Sequence, residues 1–192
     1  MKIGLYFGSF NPVHIGHMAI ANYIVEYSDL KQIWFIPSPQ NPFKKKENLL
    51  NYHHRYELLN LAIDDNFGIF KLSDIEFKMP QPSYTINTTR TLKEKYPNFE
   101  FSILMGSDNL QNFHKWKNYK EILKDHNLYV YPRPNFPIEN LEFSEKIKII
   151  KSPLMEISST FIRKAIKNGK NVYYFLPHKV YKYIKKNAIY EK

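Results

Sequence analysis

The sequence predicts an α/β fold, a doubly wound, mostly parallel sheet flanked by helices with a helical C-terminal segment, and three observations carry that expectation. Short, near-continuous apolar runs recur along the chain and read as strands buried on both faces. Stretches of helical periodicity alternate with those runs, the order that produces parallel strands with crossover helices. A glycine or proline stands just beyond four of the runs, at Gly8, Pro37, Gly106 and Pro132. In such sheets ligands bind outside the carboxyl ends of the strands, where the strand order reverses. Those four positions therefore mark the lip on which chemistry is expected.

Ile3–Phe7 is the first strand, broken at Gly8 by a Gly/Asn/Pro turn, and Ile15–Val25 has helical spacing. Gln32–Ile36 is a second strand, closed by the loop Pro37-Ser38-Pro39-Gln40-Asn41-Pro42. Tyr56, Leu59, Leu61, Ala62 and Ile63 place a helix over Tyr52–Asp64. Phe70–Phe77 reads as extended, Thr85–Tyr96 as a third helix stopped by Pro97, and Phe99–Met105 as a buried strand. Leu128–Tyr131 and Ile147–Ile150 add two short strands, and Ser159–Lys167 and His178–Lys186 close the chain as helices. Gly169 fits a left-handed cap after the first of these, and Pro177 fits the start of the second. No internal repeat or low-complexity tract interrupts this order.

A chain of 192 residues with 43% hydrophobic residues supports one substantial core. We expect one domain over residues 1–192, its C-terminal helical segment running from about 157 to 192. Lys and Arg total 28 against 18 Asp and Glu, a net charge of +10 that suits an anionic partner. The lysines are spread along the chain, so charge does not choose between nucleic acid and a phosphorylated small molecule. The absence of cysteine excludes disulfides, Cys-based zinc sites and a thiol nucleophile. No apolar stretch reaches the length of a membrane span, and the N-terminal run is too short for an export signal. A cytoplasmic location and no membrane partner are the expectations.

Two stretches carry candidate chemistry. In Gly8-Ser9-Phe10-Asn11-Pro12-Val13-His14-Ile15-Gly16-His17, a glycine turn leads from a strand into a helix with two histidines three residues apart. Free N–H groups at a helix start attract anions, and the spacing turns both histidines the same way, towards one phosphate. Gly16 between them would let a ligand approach the backbone. A structural loop with a capped helix is the competing reading. A metal pair is another, although no carboxylate completes a His-Glu-x-x-His pattern. In Ile157-Ser158-Ser159-Thr160-Phe161-Ile162-Arg163, three hydroxyls at a helix start can cap it or bind an anion. Arg163, one turn on, can fork two hydrogen bonds to phosphate oxygens.

Together, Gly-Ser-Phe-Asn-Pro-x-His-x-Gly-His and Ile-Ser-Ser-Thr-x-x-Arg resemble the nucleotidyltransferase superfamily that carries the His-x-Gly-His motif. Within it the chain resembles the bacterial-type nicotinate-nucleotide adenylyltransferases over nearly its full length. Asn41–Lys44, Arg55–Ile63, Pro82–Thr88, Gly106–Asp108, Trp116, Arg133-Pro134 and Tyr174–Tyr190 match in the same order. The resemblance implies a Rossmann-like sheet and transfer of AMP from ATP to nicotinate mononucleotide, giving deamido-NAD and pyrophosphate in NAD biosynthesis. It implies Mg²⁺ carried by the ATP phosphates, with no metal site built from protein ligands.

The resemblance also assigns residues. His14 and His17 would act on the reacting phosphate, with backbone groups of Gly8, Ser9 and Phe10 beside them. Lys44, Ile157, Ser158, Ser159, Thr160 and Arg163 would hold the ATP phosphates, and Gly106 and Asp108 a nucleotide ribose. Thr85, Trp116, Lys117 and Arg133 would receive the mononucleotide. The partners implied are ATP and nicotinate mononucleotide, without nucleic acid, and homo-oligomerisation is left open. The chain departs from the family pattern at Lys117, where a tyrosine is usual, and at Phe43, where a histidine is common. Pro80-Gln81-Pro82 also lacks the usual Arg and Gly. The alternatives are another phosphorylated acceptor, nicotinamide mononucleotide or pantetheine phosphate, and a non-catalytic basic nucleic-acid-binding domain.

Overall fold

The computed structural model describes residues 1–39, 49–63, 68–138 and 145–191. Its centre is a sheet of six strands: β1 (Lys2–Gly8), β2 (Gln32–Pro37), β3 (Phe70–Leu72), β4 (Glu100–Gly106), β5 (Leu128–Tyr131) and β6 (Ile147–Ile149). They lie in the order β3-β2-β1-β4-β5-β6, and each described pairing is parallel. The chain leaves β1 towards β2 on one side and returns to β4 on the other, so the order reverses between β1 and β4.

Among the described residues, seven helices flank the sheet: α1 (Ile15–Tyr27), α2 (Tyr52–Ile63), α3 (Thr85–Lys95), α4 (Ser107–Gln111), α5 (Tyr119–Asp125), α6 (Ser159–Lys167) and α7 (His178–Lys186). Alternation along the strands divides the core. Tyr6, Ile33, Phe35, Leu104 and Tyr129 point to the face packed by α1, α2, α6 and α7. Ile3, Leu5, Trp34, Ile36, Ile103 and Leu128 point to the other face, where α3 brings Ile86 and Leu92 and α5 brings Ile122. Both faces being dry explains why the strands read as continuous apolar runs. Among the described residues no helix is long and apolar enough to cross a membrane.

Three local expectations are corrected. Phe70–Phe77 is a strand only to Leu72; from Asp74 the chain turns into a 3₁₀ segment, Ile75–Lys78, closed by Phe77 N–H to Asp74 O at 3.0 Å. Helices α4 and α5 were not expected, because each is short and buries one or two residues, too few for a periodic signal. On α2 the buried stripe is Arg55, Leu58, Leu59 and Ile63, so an arginine occupies a core-facing position.

That arginine joins the loops that leave the sheet. Arg55 is 0% exposed. Its Nε donates to Leu50 O at 2.9 Å, Nη1 to Ser9 O at 2.8 Å and Ser38 O at 2.9 Å, and Nη2 to Pro39 O at 3.2 Å. One side chain thus ties the segment after β1, the segment after β2 and the entry to α2. An ammonium has three donors and cannot fork, so Arg55→Lys leaves at least one carbonyl unmatched. We predict a loss of about 1–3 kcal/mol in unfolding free energy, read from urea denaturation. An unchanged value would show that the loops hold themselves.

Candidate active site at the strand switch point

The ends of β1 and β4 open onto a cleft of about 410 Å³. Phe7, Gly8 and Ser9 come to it from β1, Leu104, Met105 and Asp108 from β4 and α4, and Tyr84 and Thr85 from the start of α3. Trp116 and Lys117 close it from the segment before α5. Gly8, Ser9, Asp108, Thr85, Trp116 and Lys117 were expected in the site, and the fold brings these six to one cavity.

Thr85 is the first residue of α3, and Tyr84 before it supplies no side-chain cap; Asn87 and Thr88 N–H donate to Tyr84 O at 2.9 and 3.2 Å, while the N–H groups of Thr85 and Ile86 precede the helical ladder. Lys117 Nζ stands 4.4 Å from the centre of the Tyr84 ring, placing an ammonium beside that helix start. Trp116 packs on Phe113, ring centroids 5.4 Å apart, and on the core of that face while also lining the cleft. It is both a core aromatic and a wall of the site.

The histidine motif takes a different form from the one expected. His14 is the N-cap of α1, with extended backbone, and only His17 lies inside the helix. The His14 N–H donates to His17 Nδ1 at 3.3 Å, so the neutral His17 ring carries its proton on Nε2. The two rings lie 3.8 Å apart, and Phe10, buried, supports His17 from 5.1 Å. Gly16 is packed against the protein itself. A Cβ there would stand 3.0 Å from His14 Nδ1, so the glycine makes room for the His14 ring. His14 is 3% exposed, and burial, aided by the Arg133 charge, holds its pKa down to about 3. His14 is therefore a neutral ring at ordinary pH.

At Gly106 a Cβ would clash with Asp108 Oδ1 and would meet Arg133 Cγ at 2.8 Å. Its absence lets Arg133 Nε approach Asp108 Oδ1 to 3.7 Å. The residue assigned to a ribose and the one assigned to the mononucleotide are thus neighbours.

The second motif docks on the first. Ser158 caps α6, its Oγ accepting from Phe161 N–H at 3.2 Å. Ser159 Oγ donates to Pro12 O at 2.8 Å, and Arg163 Nη1 donates to Asn11 O at 2.7 Å and Nη2 to Thr160 Oγ1 at 3.3 Å. Ile157 packs near Gly16, within 3.7 Å of the Cβ position. The three hydroxyls are thus used within the protein, to cap and to tether. Their tethers place the α6 start and the Arg163 guanidinium against the β1–α1 loop. Lys44 and Phe43 lie outside the described residues. Sequence reasoning missed two buried charges here, Arg55 and Glu76. Arg55 was marked by the family-matching stretch Arg55–Ile63 and by its place one turn ahead of Leu59 on the helical face.

A doubly wound sheet with this histidine loop at its switch point defines a nucleotidyltransferase, and residues 5–165 match the cytidylyltransferase-like family. The chain is 55% identical to a probable nicotinate-nucleotide adenylyltransferase of Flavobacterium psychrophilum, over 100% of both chains. It is 44% identical to one from Bacteroides fragilis, over 95% of this chain and 90% of that protein. The chain belongs to the nicotinate-nucleotide adenylyltransferase family. A solved Plasmodium falciparum nicotinic acid mononucleotide adenylyltransferase complexed with NaAD shares the fold, with a TM-score of 0.84 at 22% identity. That superposition covers 99% of this chain and 97% of the other.

The neutral state of His14 has a measurable consequence. The folded ring titrates at about 3 and the unfolded one near 6.5. Between those values the unfolded chain binds the proton and the folded one does not, so stability falls as pH drops below about 6.5. At pH 5 the expected loss from this group is about 2 kcal/mol relative to pH 8. His14→Asn keeps a capping side chain and should remove that part of the acid sensitivity. Urea midpoints for both proteins at the two pH values measure it; identical pH dependence would sink the assignment.

Proposed function

We propose that the chain transfers the AMP moiety of ATP to nicotinate mononucleotide, forming deamido-NAD and pyrophosphate. The observation that carries this reading is the cleft at the β1/β4 switch point, joined through Gly8 and Ser9 to the loop of His14 and His17. A ring-and-ribose pocket and an anion site then share one wall. A mononucleotide phosphate oxygen attacks the α-phosphorus, and the bond to the β-phosphate oxygen breaks, its electron pair leaving with pyrophosphate. The attacking phosphate is already anionic near neutral pH, so no general base is needed. What the protein supplies is placement and charge stabilisation.

His17 Nε2–H is the donor best supported for the reacting phosphate, because the His14 amide sets its tautomer. Arg163, the α6 start and Lys44 are proposed to hold the β- and γ-phosphates, and Arg133 and Asp108 the sugar–phosphate region. Ser158 and Ser159 act by placing α6. Among the described residues no group of three His, Asp or Glu gathers to hold a metal. Mg²⁺ is proposed to come with the triphosphate, bound by its oxygens and by water, where it would offset phosphate charge. ATP with a panel of phosphorylated acceptors, followed by pyrophosphate detection, tests the whole reading. Release with pantetheine phosphate alone, or with no acceptor, would overturn it.

His17→Ala removes one preorganised donor, for which a fall in kcat of about 10²–10³ is typical, with the fold intact. Near-normal turnover in the folded variant would refute the role. A second expectation concerns the acceptor. The uncapped first turn of α3 and the Lys117 ammonium both favour a carboxylate over an amide at the cleft end they share. An amide would turn an NH₂ towards one of those donors, about 1–3 kcal/mol less favourable. The ratio of kcat/KM for nicotinate over nicotinamide mononucleotide should therefore be roughly ten to a hundred. Equal efficiencies would show that these donors do not select.

A further inference from the structure

The wall of the cleft holds a charge that the transfer chemistry does not use. Glu76 is 3% exposed and lines the cleft together with Thr85 and Trp116. Its Oε2 accepts from Ser83 Oγ at 2.9 Å and its Oε1 from Thr88 Oγ1 at 2.9 Å. Each carboxyl oxygen thus has a hydroxyl that can donate to it, an arrangement suited to the ionised form; the Thr88 hydroxyl also reaches Tyr84 O at 3.3 Å. Burial pushes the carboxyl upward, and the hydroxyls of Ser83, Thr88 and Ser38 work against that shift.

The other charged groups of the lining are engaged elsewhere. Asp108 faces Arg133, Lys115 Nζ donates to Asn112 Oδ1 at 2.9 Å, and Lys117 lies over Tyr84. Among the described residues, the groups bonded to the Glu76 carboxylate are hydroxyls, with no lysine, arginine or histidine. A buried carboxylate without a cation is strongly disfavoured, so a cleft that keeps one suits a ligand that brings the cation.

The proposed acceptor does bring one. Attachment of ribose to the ring nitrogen makes the nicotinate ring a quaternary pyridinium, whether its substituent is an acid or an amide. A carboxylate and an indole face are groups suited to an organic cation. We propose that Glu76 is the counter-ion of the pyridinium ring, in one cleft with Trp116, and that it selects the oxidised, cationic ring over an uncharged dihydropyridine. The proposal rests on the function given above. It also accounts for both signs of charge in one cleft: the acid mononucleotide is a zwitterionic ring.

Nicotinamide mononucleotide and its dihydro form carry the same amide and phosphate and differ in ring charge, so they isolate this effect. With ATP and pyrophosphate detection, the wild type should use the oxidised form with kcat/KM at least about tenfold higher. Glu76→Gln can still bond both hydroxyls but has no charge. Its efficiency with the oxidised form should fall about tenfold while the reduced form is unaffected, so the ratio approaches one. Glu76→Asp keeps the charge and should keep the discrimination even where both rates drop. Equal losses on both forms in Glu76→Gln would reduce Glu76 to a tie for Ser83 and Thr88 and overturn the proposal. A wild type that does not discriminate would overturn it without any variant. Failure to release pyrophosphate with any mononucleotide would instead remove the proposed function, and this inference with it.

Discussion

The buried guanidinium of Arg55 is the constraint on which the site depends. Parallel strands end in open loops, and a loop at a switch point has no neighbouring strand to fix its carbonyls. Here four carbonyl oxygens, of Ser9, Ser38, Pro39 and Leu50, converge on one planar group. The cleft walls at Ser9 and Ser38 are therefore set by a residue that faces the core from α2. Because its described partners are neutral carbonyls, the guanidinium keeps an uncompensated positive charge beneath the loops, which favours anionic ligands above them.

A second set of bonds closes the molecule from its other end. Asn11 is buried, and its Oδ1 accepts from Leu50 N–H at 3.2 Å and from Tyr190 Oη–H at 2.7 Å. Its main-chain oxygen takes Arg163. The C-terminal helices thus brace the β1–α1 loop through α6 and through Tyr190, near the end of the chain. Within that frame the His14 ring is sealed by burial and His17 is left partly open, so two histidines of one motif have different duties. The main-chain N–H of His14 sets the tautomer of His17, and the His14 ring itself is packed inside the loop.

The sheet was legible because strands dry on both faces leave an unmistakable apolar run, as in Ile3–Phe7 and Phe101–Met105. The boundaries of α6 and α7 were legible because Gly169, at φ +68°, and Pro177 are local signals whose meaning needs no tertiary contact. Ser158 as a cap followed from the same local chemistry. What escaped the sequence were features made by distant partners. Glu76 falls in a stretch that reads as extended, and the 3₁₀ turn after Asp74 swings it towards Ser83 and Thr88. Gly16, expected to let a ligand approach, and Gly106, expected beside a ribose, each also make room for neighbouring side chains that no local pattern shows.

By itself the sequence determined the alternation of strands and helices, the phosphate-type motifs at Gly8–His17 and Ile157–Arg163, and through them the family. Those are properties of short segments, governed by periodicity, backbone freedom and capping, and they survive without the rest of the chain. Only the tertiary structure decided which charges are buried, which glycines serve ligand or neighbour, and how the roles of His14 and His17 divide. Each of those depends on the dielectric and the hydrogen-bond partners that packing creates: Arg55 bonds Ser9 across 46 residues, and Arg163 bonds Asn11 across 152. No local pattern encodes a contact of that span.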